Sequence, residues 1–296
     1  MPRVYRASVF TNQKQHWQCD LLSEVYSDGT FELLPILDTP YIDKSGRHFP
    51  ATPEEWLDEV GLERARREHL RTYGDLPSWH DPKKSVADYV KFDKASEWVV
   101  HDDPDLHTLM AYGDVNSVRG RALFNMRPGD WITFIAHLAY AKKPGQPNPK
   151  HAKTGWYLVG CLKAQHIEFA GAGRTFSDRA KGHAHWLWSQ YEDMRVGDTP
   201  HNMIICGDRQ RKDQRFDFAV PLLTREDAMR LIRDKHNKPL DPVKKNPGKS
   251  VKSSVNYHTR TGRCIGDTSK PSDKAYLREL RSAILERNPT LKNLLW

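Results

Sequence analysis

No stretch of the 296-residue chain approaches the roughly 20 consecutive apolar residues that a membrane helix needs. The opening residues, MPRVYRASVFTNQ, also lack the apolar core of a secretory leader. A soluble, cytoplasmic protein with no membrane partner is therefore expected. Cysteine is scarce as well. Cys19, Cys161, Cys206 and Cys264 lie far apart and none belongs to a CxxC or CxxH pair, which argues against a structural zinc site and for reduced thiols. Absent too are the phosphate loop GxxxxGKS/T, the GxGxxG of dinucleotide binding, the nucleophile elbow GxSxG, and the HxE with PCxxC of zinc deaminases. These absences disfavour nucleotide hydrolysis, dinucleotide redox chemistry and zinc deamination, and no cofactor is expected.

What the chain does carry is aromatic side chains and positive charge. With 9 Trp, 11 Tyr and 10 Phe it has more anchoring material than a disordered protein, and its length suits one elaborated domain or two intimate halves. The 46 Lys and Arg against 38 Asp and Glu leave a net charge of +8, which favours polyanionic partners, nucleic acid first, through counterion release. The surplus is local. Between Lys235 and Lys270 stand nine Lys and Arg against only Asp241 and Asp267. The expected division is an α+β domain over residues 1–234 and a basic loop with a C-terminal helix packed on it over 235–296.

Local patterns predict the elements. Ser27-Asp28-Gly29-Thr30 reads as a turn before an extended Phe31 to Leu37, and Asp43-Lys44-Ser45-Gly46 as a loop. Thr52-Pro53-Glu54-Glu55 combines an N-cap, a first-turn proline and a carboxylate at the third helical position, and so starts a helix. Trp98 to Val100 is a short strand. Pro128-Gly129 suits the middle of a type II turn, Trp131 to Leu138 a buried strand, and Trp156 to Ala164 its partner. Asn202 to Cys206 makes a further strand. Thr224 caps a helix with Glu226 and Asp227 in its first turn. A last helix runs from about Ser272 with Leu277, Leu280, Ile284 and Leu285 on one face and Pro289 just beyond. The fold class that results is α+β, with a central mixed or antiparallel, barrel-like sheet and peripheral helices.

Acidic turns adjoin these strands: His101-Asp102-Asp103-Pro104-Asp105, Tyr112-Gly113-Asp114 and Gly207-Asp208. A carboxylate in a cleft activates water or offsets developing positive charge, so Asp102, Asp103 and Asp114 are the catalytic candidates. Asp103 also reads as an ordinary helix N-cap before Pro104, whereas Asp102 and Asp114 have no equally evident structural duty. His183 and His185 would face one side of a strand, but no companion ligand lies near them in sequence, and no metal is expected there. His185 and Trp186 suit stacking on a base or interior packing. Tyr112, Arg119, Arg121 and Asp208 complete the substrate-binding candidates, since arginine forks match phosphate oxygens. Backbone contacts to nucleic acid are expected from Arg209, Arg211 and Lys212, and from Lys244, Lys245, Lys249, Lys252, Arg260 and Arg263 of the basic loop.

Several segments in order resemble the nucleotide-modification-associated domain family, third type, found in phage-related and mobile gene neighbourhoods that handle modified DNA bases. They are Ser27-Asp28-Gly29-Thr30 with Leu34-Pro35-Ile36 and Tyr41, the run His101 to Leu106, Tyr112-Gly113-Asp114, Leu123 to Ala136 around Pro128-Gly129-Asp130, and Trp156 to Gly160. The resemblance spans about residues 1 to 220. The stretch from the Pro-Gly-Asp turn through Val159-Gly160 is also similar to base-reading barrels of the pseudouridine-synthase-associated type, whose pockets accept an extruded base. What the resemblance implies is a modified-nucleobase context. The leading expectation is a DNA-binding enzyme that captures a modified base and cleaves its N-glycosidic bond, with modified phage DNA as partner and a role in antiviral defence. The alternative is a non-catalytic reader of modified DNA that recruits an effector.

Overall fold

The apolar run after Pro128-Gly129 has no polar face to offer water, and in the computed structural model it becomes the central strand β7 (Trp131–Tyr140), buried from Trp131 to Ala139. The structure describes residues 1–11, 19–36, 41–42, 48–49, 71–91, 95–97, 100–117, 119–145, 153–171, 173–188, 202–209, 215–234, 236–245, 248, 250–259, 261–293 and 296. Gly129 takes φ +93°, the left-handed conformation that a type II turn requires at its third position, and Asp130 N–H donates to Arg127 O at 3.0 Å. Asp130 then ties the turn to the N-terminus, because its carboxylate accepts Arg3 N–H at 2.7 Å.

Among the described residues, seven strands form a mixed sheet. β7 runs parallel to β1 (Arg3–Thr11) and antiparallel to β8 (Thr154–Lys163), which pairs in turn with β11 (Arg215–Pro221). On the other side β1 pairs antiparallel with β12 (Arg263–Asp267), but only along Arg3 to Arg6. The far end of β7 takes β2 (Glu24–Val25) and, through it, β3 (Phe31–Glu32), joined by the expected Ser27–Thr30 turn. The sheet path ends at β11 and β12, so the α+β class and mixed sheet hold while the described strands do not close into a barrel. A hairpin of β4 (Tyr41–Ile42) and β5 (His48–Phe49) stands apart. A smaller antiparallel sheet has the order β6 (Ala111–Val115), β10 (Asn202–Cys206), β9 (His166–Ala170).

Helix α1 (Ala184–Trp188) packs on β6 and β10 of the small sheet. Helix α2 (Arg225–Leu231) begins as the sequence indicates, with Thr224 Oγ1 accepting Asp227 N–H and the Asp227 carboxylate accepting Thr224 N–H. The segment read as a basic loop is structured instead: α3 (Pro242–Lys245), α4 (Val251–Thr259) and β12 follow one another. Its apolar positions are sparse, yet Val255 and Ile265 are fully buried, and α4 lies against β1 and β8. The last helix, α5 (Pro271–Arg287), buries Leu277, Leu280 and Ile284, while Leu285 is only half-buried. Beyond it Asn288 clamps β11, accepting Phe218 N–H and donating to Phe218 O, both at 2.9 Å. The expected Asp43–Gly46 loop, the helix from Thr52 and residues Trp98 and Val99 lie outside the described residues. The four cysteines are free thiols, three of them buried. No helix among the described residues is long and apolar enough to cross a membrane.

Phe134 sits in the middle of β7, paired with Ala7 and Gly160 and wholly shielded from water. Phe134→Ala is expected to cost about 3–5 kcal/mol, through reduced burial plus the cavity left behind. Chemical denaturation should show the midpoint falling at unchanged slope.

Candidate active site

The turn from His101 to Asp105 is pinned at both ends by backbone bonds. Ile36 N–H donates to His101 O at 2.9 Å, and Asp105 and Ala111 exchange N–H···O bonds of 2.9 Å each. No helix starts at Asp103, so the capping role expected for it is corrected. The residue is 3 % exposed, and its carboxylate instead reaches β6, where Oδ1 accepts Gly113 N–H at 2.9 Å. Three imidazoles face the same carboxylate: His101 Nε2 lies 3.5 Å and His185 Nε2 3.3 Å from Oδ2, and His183 Nε2 lies 3.7 Å from Oδ1.

His183 and His185 are not on a strand. His183 precedes α1 and His185 lies in its first turn, where His185 N–H donates to His183 Nδ1 at 3.2 Å. The other ring nitrogen of His185, Nδ1, is 3.4 Å from Asn202 Oδ1 on β10. Gly113 makes this convergence sterically possible. A Cβ there would stand 2.3 Å from His185 Cδ2 and 2.9 Å from His183 Cε1, closer than atoms can approach.

These groups line a cavity of about 420 Å³ between the small sheet and the end of β1 that β12 leaves uncovered. Its floor holds His101, Asp103 and His185, one wall carries Tyr112 and Asp114, and Ser8 and Arg119 stand on the opposite side and rim. Tyr112 O–H donates to Asp114 Oδ2 at 2.8 Å, and Val115 N–H donates to Oδ1 at 2.7 Å. Burial pushes the Asp114 carboxyl up to about 6; the Tyr112 and Val115 hydrogen bonds oppose this and the Asp103 charge adds to it. For Asp103 burial also acts upward, but the three histidines that face it prevail and hold it well below the usual carboxylate range. Burial lowers His185, against the pull of Asp103. Burial and the Asp114 charge raise the Tyr112 phenol well above its ordinary value.

Of the residues nominated from the sequence, Asp103, Tyr112, Asp114, Arg119 and His185 line this one cavity. Asp102 is not among the residues lining this cavity. It opens on a smaller one of about 170 Å³ and pairs with Arg71 Nη2 at 3.0 Å. Burial and then Asp105 push its carboxyl up to about 6, against Arg71. Arg121 is exposed and does not line the cavity, and Trp186 is buried in the interior rather than presenting its ring to the cavity. Asp208 and Arg209 follow β10 outside the cavity, where the Arg209 guanidinium donates to Arg179 O. Of the basic candidates, Lys244 and Lys252 are exposed on α3 and α4, Lys245 belongs to α3, and Arg263 is half-buried on β12. Arg211, Lys212, Lys249 and Arg260 lie outside the described residues. Gly262, at the end of the basic segment, lines the cavity, and its N–H donates to Arg119 O at 2.8 Å. Sequence reasoning passed over His101, Ser8 and Gly113. Only for His101 was there a signal, its i, i+2 spacing from Asp103, which matches that of His183 and His185.

The scaffold is α+β, with carboxylates and imidazoles lining its cleft. The chain belongs to the family described as nucleotide modification associated domain 3, whose model matches residues 18–279. The protein's role is accordingly related to modified nucleotides. The match extends past residue 220 and takes in the basic segment, which the sequence resemblance had not included. No match was found among curated proteins or among solved structures.

Gly113→Ala is expected to displace both imidazoles while leaving the large sheet intact, since the clash is confined to α1 and β6. In histidine ring NMR spectra the His183 and His185 resonances should shift or broaden, with far-ultraviolet dichroism unchanged.

Proposed function

We propose that the cavity receives a nucleobase swung out of DNA and that the protein hydrolyses the N-glycosidic bond of a modified base, with modified phage DNA as the substrate in antiviral defence. The observation that carries this reading is that two carboxyl groups, Asp103 and Asp114, line one cavity together with the Tyr112 phenol. Its size falls within the roughly 300–1,000 Å³ of small-ligand pockets. Hydrolysis adds a water oxygen to the sugar anomeric carbon as the carbon–nitrogen bond breaks. The bonding pair leaves with the base, and the base nitrogen takes up a proton. Asp114, bonded to Tyr112, is the group positioned to pass that proton. The negative floor at Asp103 favours a sugar that develops positive charge. Arg119 at the rim suits a flanking phosphate. The join between Gly262 and Arg119 brings the basic segment to the cavity mouth, where a duplex backbone would lie.

The test is mass spectrometry of free base after incubation with DNA carrying canonical or hypermodified cytosine. The wild-type protein is expected to release the modified base and leave the backbone intact. Asp114→Asn should keep fold and DNA affinity while release slows by roughly 10²–10⁴-fold. Retention of modified DNA without release by the wild-type protein would instead select the non-catalytic reader. Neutralising Lys244, Lys245, Lys249 and Lys252 together should weaken binding to modified and unmodified duplex alike. The log–log salt slope should become shallower by roughly 0.9 for each phosphate that is no longer neutralised.

A further inference from the structure

The two oxygens of Asp103 have different surroundings. Oδ1 is held by the Gly113 N–H and faced by His183, whose Nδ1 already accepts the His185 N–H. A neutral His183 therefore carries its proton on Nε2 and directs it at Oδ1. That histidine faces the carboxylate and has no lone pair on Nε2 to give an ion. Oδ2 is different: it is faced by His101 Nε2 at 3.5 Å and His185 Nε2 at 3.3 Å. These separations exceed the about 2.7–2.9 Å of a charge-assisted N–H···O bond. They match the roughly 3.3–3.5 Å between ligand atoms that each stand about 2.0–2.2 Å from a tetrahedral ion.

We propose that His101 Nε2, His185 Nε2 and Asp103 Oδ2 bind one divalent transition-metal ion, with its open coordination position turned into the cavity. One ligand atom from each of the three residues lies within 4.8 Å of the other two, and all three residues are buried yet line the cavity, which His183 does not. Two imidazoles and one carboxylate select a first-row ion of the zinc or iron(II) kind over the oxygen-seeking magnesium and calcium. His185 Nδ1, beside Asn202 Oδ1, has the outer partner that fixes a ligating histidine with Nε2 toward the metal. The metal-free expectation for His183 and His185 rested on the absence of a companion ligand, and the fold supplies two, from the turn at residues 101–103. Binding of the ion stands independently of the glycosidic reading. Only its use rests on that reading: with the ion bound the floor is no longer negative, and the ion, in place of the bare Asp103 charge, holds a water or a base heteroatom there.

The test uses untagged full-length protein, stripped by a chelator and titrated without DNA. Zn²⁺ uptake is followed by calorimetry, and Co²⁺ uptake by its visible absorption. Wild-type protein is expected to take up one equivalent with a tetrahedral or five-coordinate Co²⁺ spectrum. Asp103→Asn and His185→Gln should each weaken affinity by roughly a hundredfold or more, and His183→Gln by about tenfold. His166→Gln, which alters a half-exposed histidine paired with Glu168 on β9, should leave it unchanged. Failure of folded wild-type protein to take up either ion stoichiometrically would overturn the proposal. So would undiminished uptake by a folded double variant, Asp103→Asn with His185→Gln. Base release is scored separately. Uptake without release keeps the metal site and removes the glycosidic reading, whereas release by protein that takes up no ion does the reverse.

Discussion

The burial of one negative charge organises this protein. Asp103 is removed from water, and an ionised carboxylate in such a place is costly unless donors or cations surround it. The Gly113 amide and three histidines compensate it, and they come from different parts of the fold. Gly113 belongs to β6, His101 to the pinned turn, and His183 and His185 to the start of α1. Moving any of these elements would strand the charge. The small sheet, the turn and the helix are therefore held in one arrangement by a shared electrostatic need as much as by apolar packing.

The large sheet has the complementary duty. β7 and β8 bury apolar side chains along almost their whole length and supply the stability against which a polar cluster can be maintained. β1 links the two parts. Its first half is sandwiched between β7 and β12, while its second half continues past the end of β12 and becomes a wall of the cavity. Helix α4 secures that passage, since Ser8 Oγ donates to Thr259 O and the buried Arg6 guanidinium donates to His258 O. The basic segment is thus built into the scaffold beside the cavity.

Opposite carboxyl behaviour within one cleft follows from these surroundings. Asp103 has the Gly113 amide on Oδ1 and imidazoles facing both oxygens, and stays ionised. Asp114 has two hydrogen bonds, but burial and the neighbouring negative charge raise it. Two carboxyl groups pushed apart in this way suit chemistry that needs a fixed charge and a mobile proton in one place. The family match relates the protein to modified nucleotides.

What the sequence determined by itself was local. The Pro128-Gly129 turn, the uninterrupted apolar runs of β7, β8 and β10, the Thr224 cap of α2 and the buried face of α5 are encoded within windows of ten or so residues, where turn chemistry and periodicity act directly. Strand β12 and helix α4 were not legible, because their apolar positions are few and their order comes from pairing with β1 and packing on the sheet. The same division runs through the site. Carboxylates at 103 and 114 and the imidazole at 185 could be nominated from residue type, yet Asp103 read as a cap and Asp102 as the sharper candidate. Only the tertiary structure turned Asp102 toward Arg71 and enclosed Asp103 with His101, His183 and His185. The reason is physical: convergence of side chains remote in sequence depends on strand pairing and on a glycine whose missing Cβ makes room, and neither leaves a local pattern in the sequence.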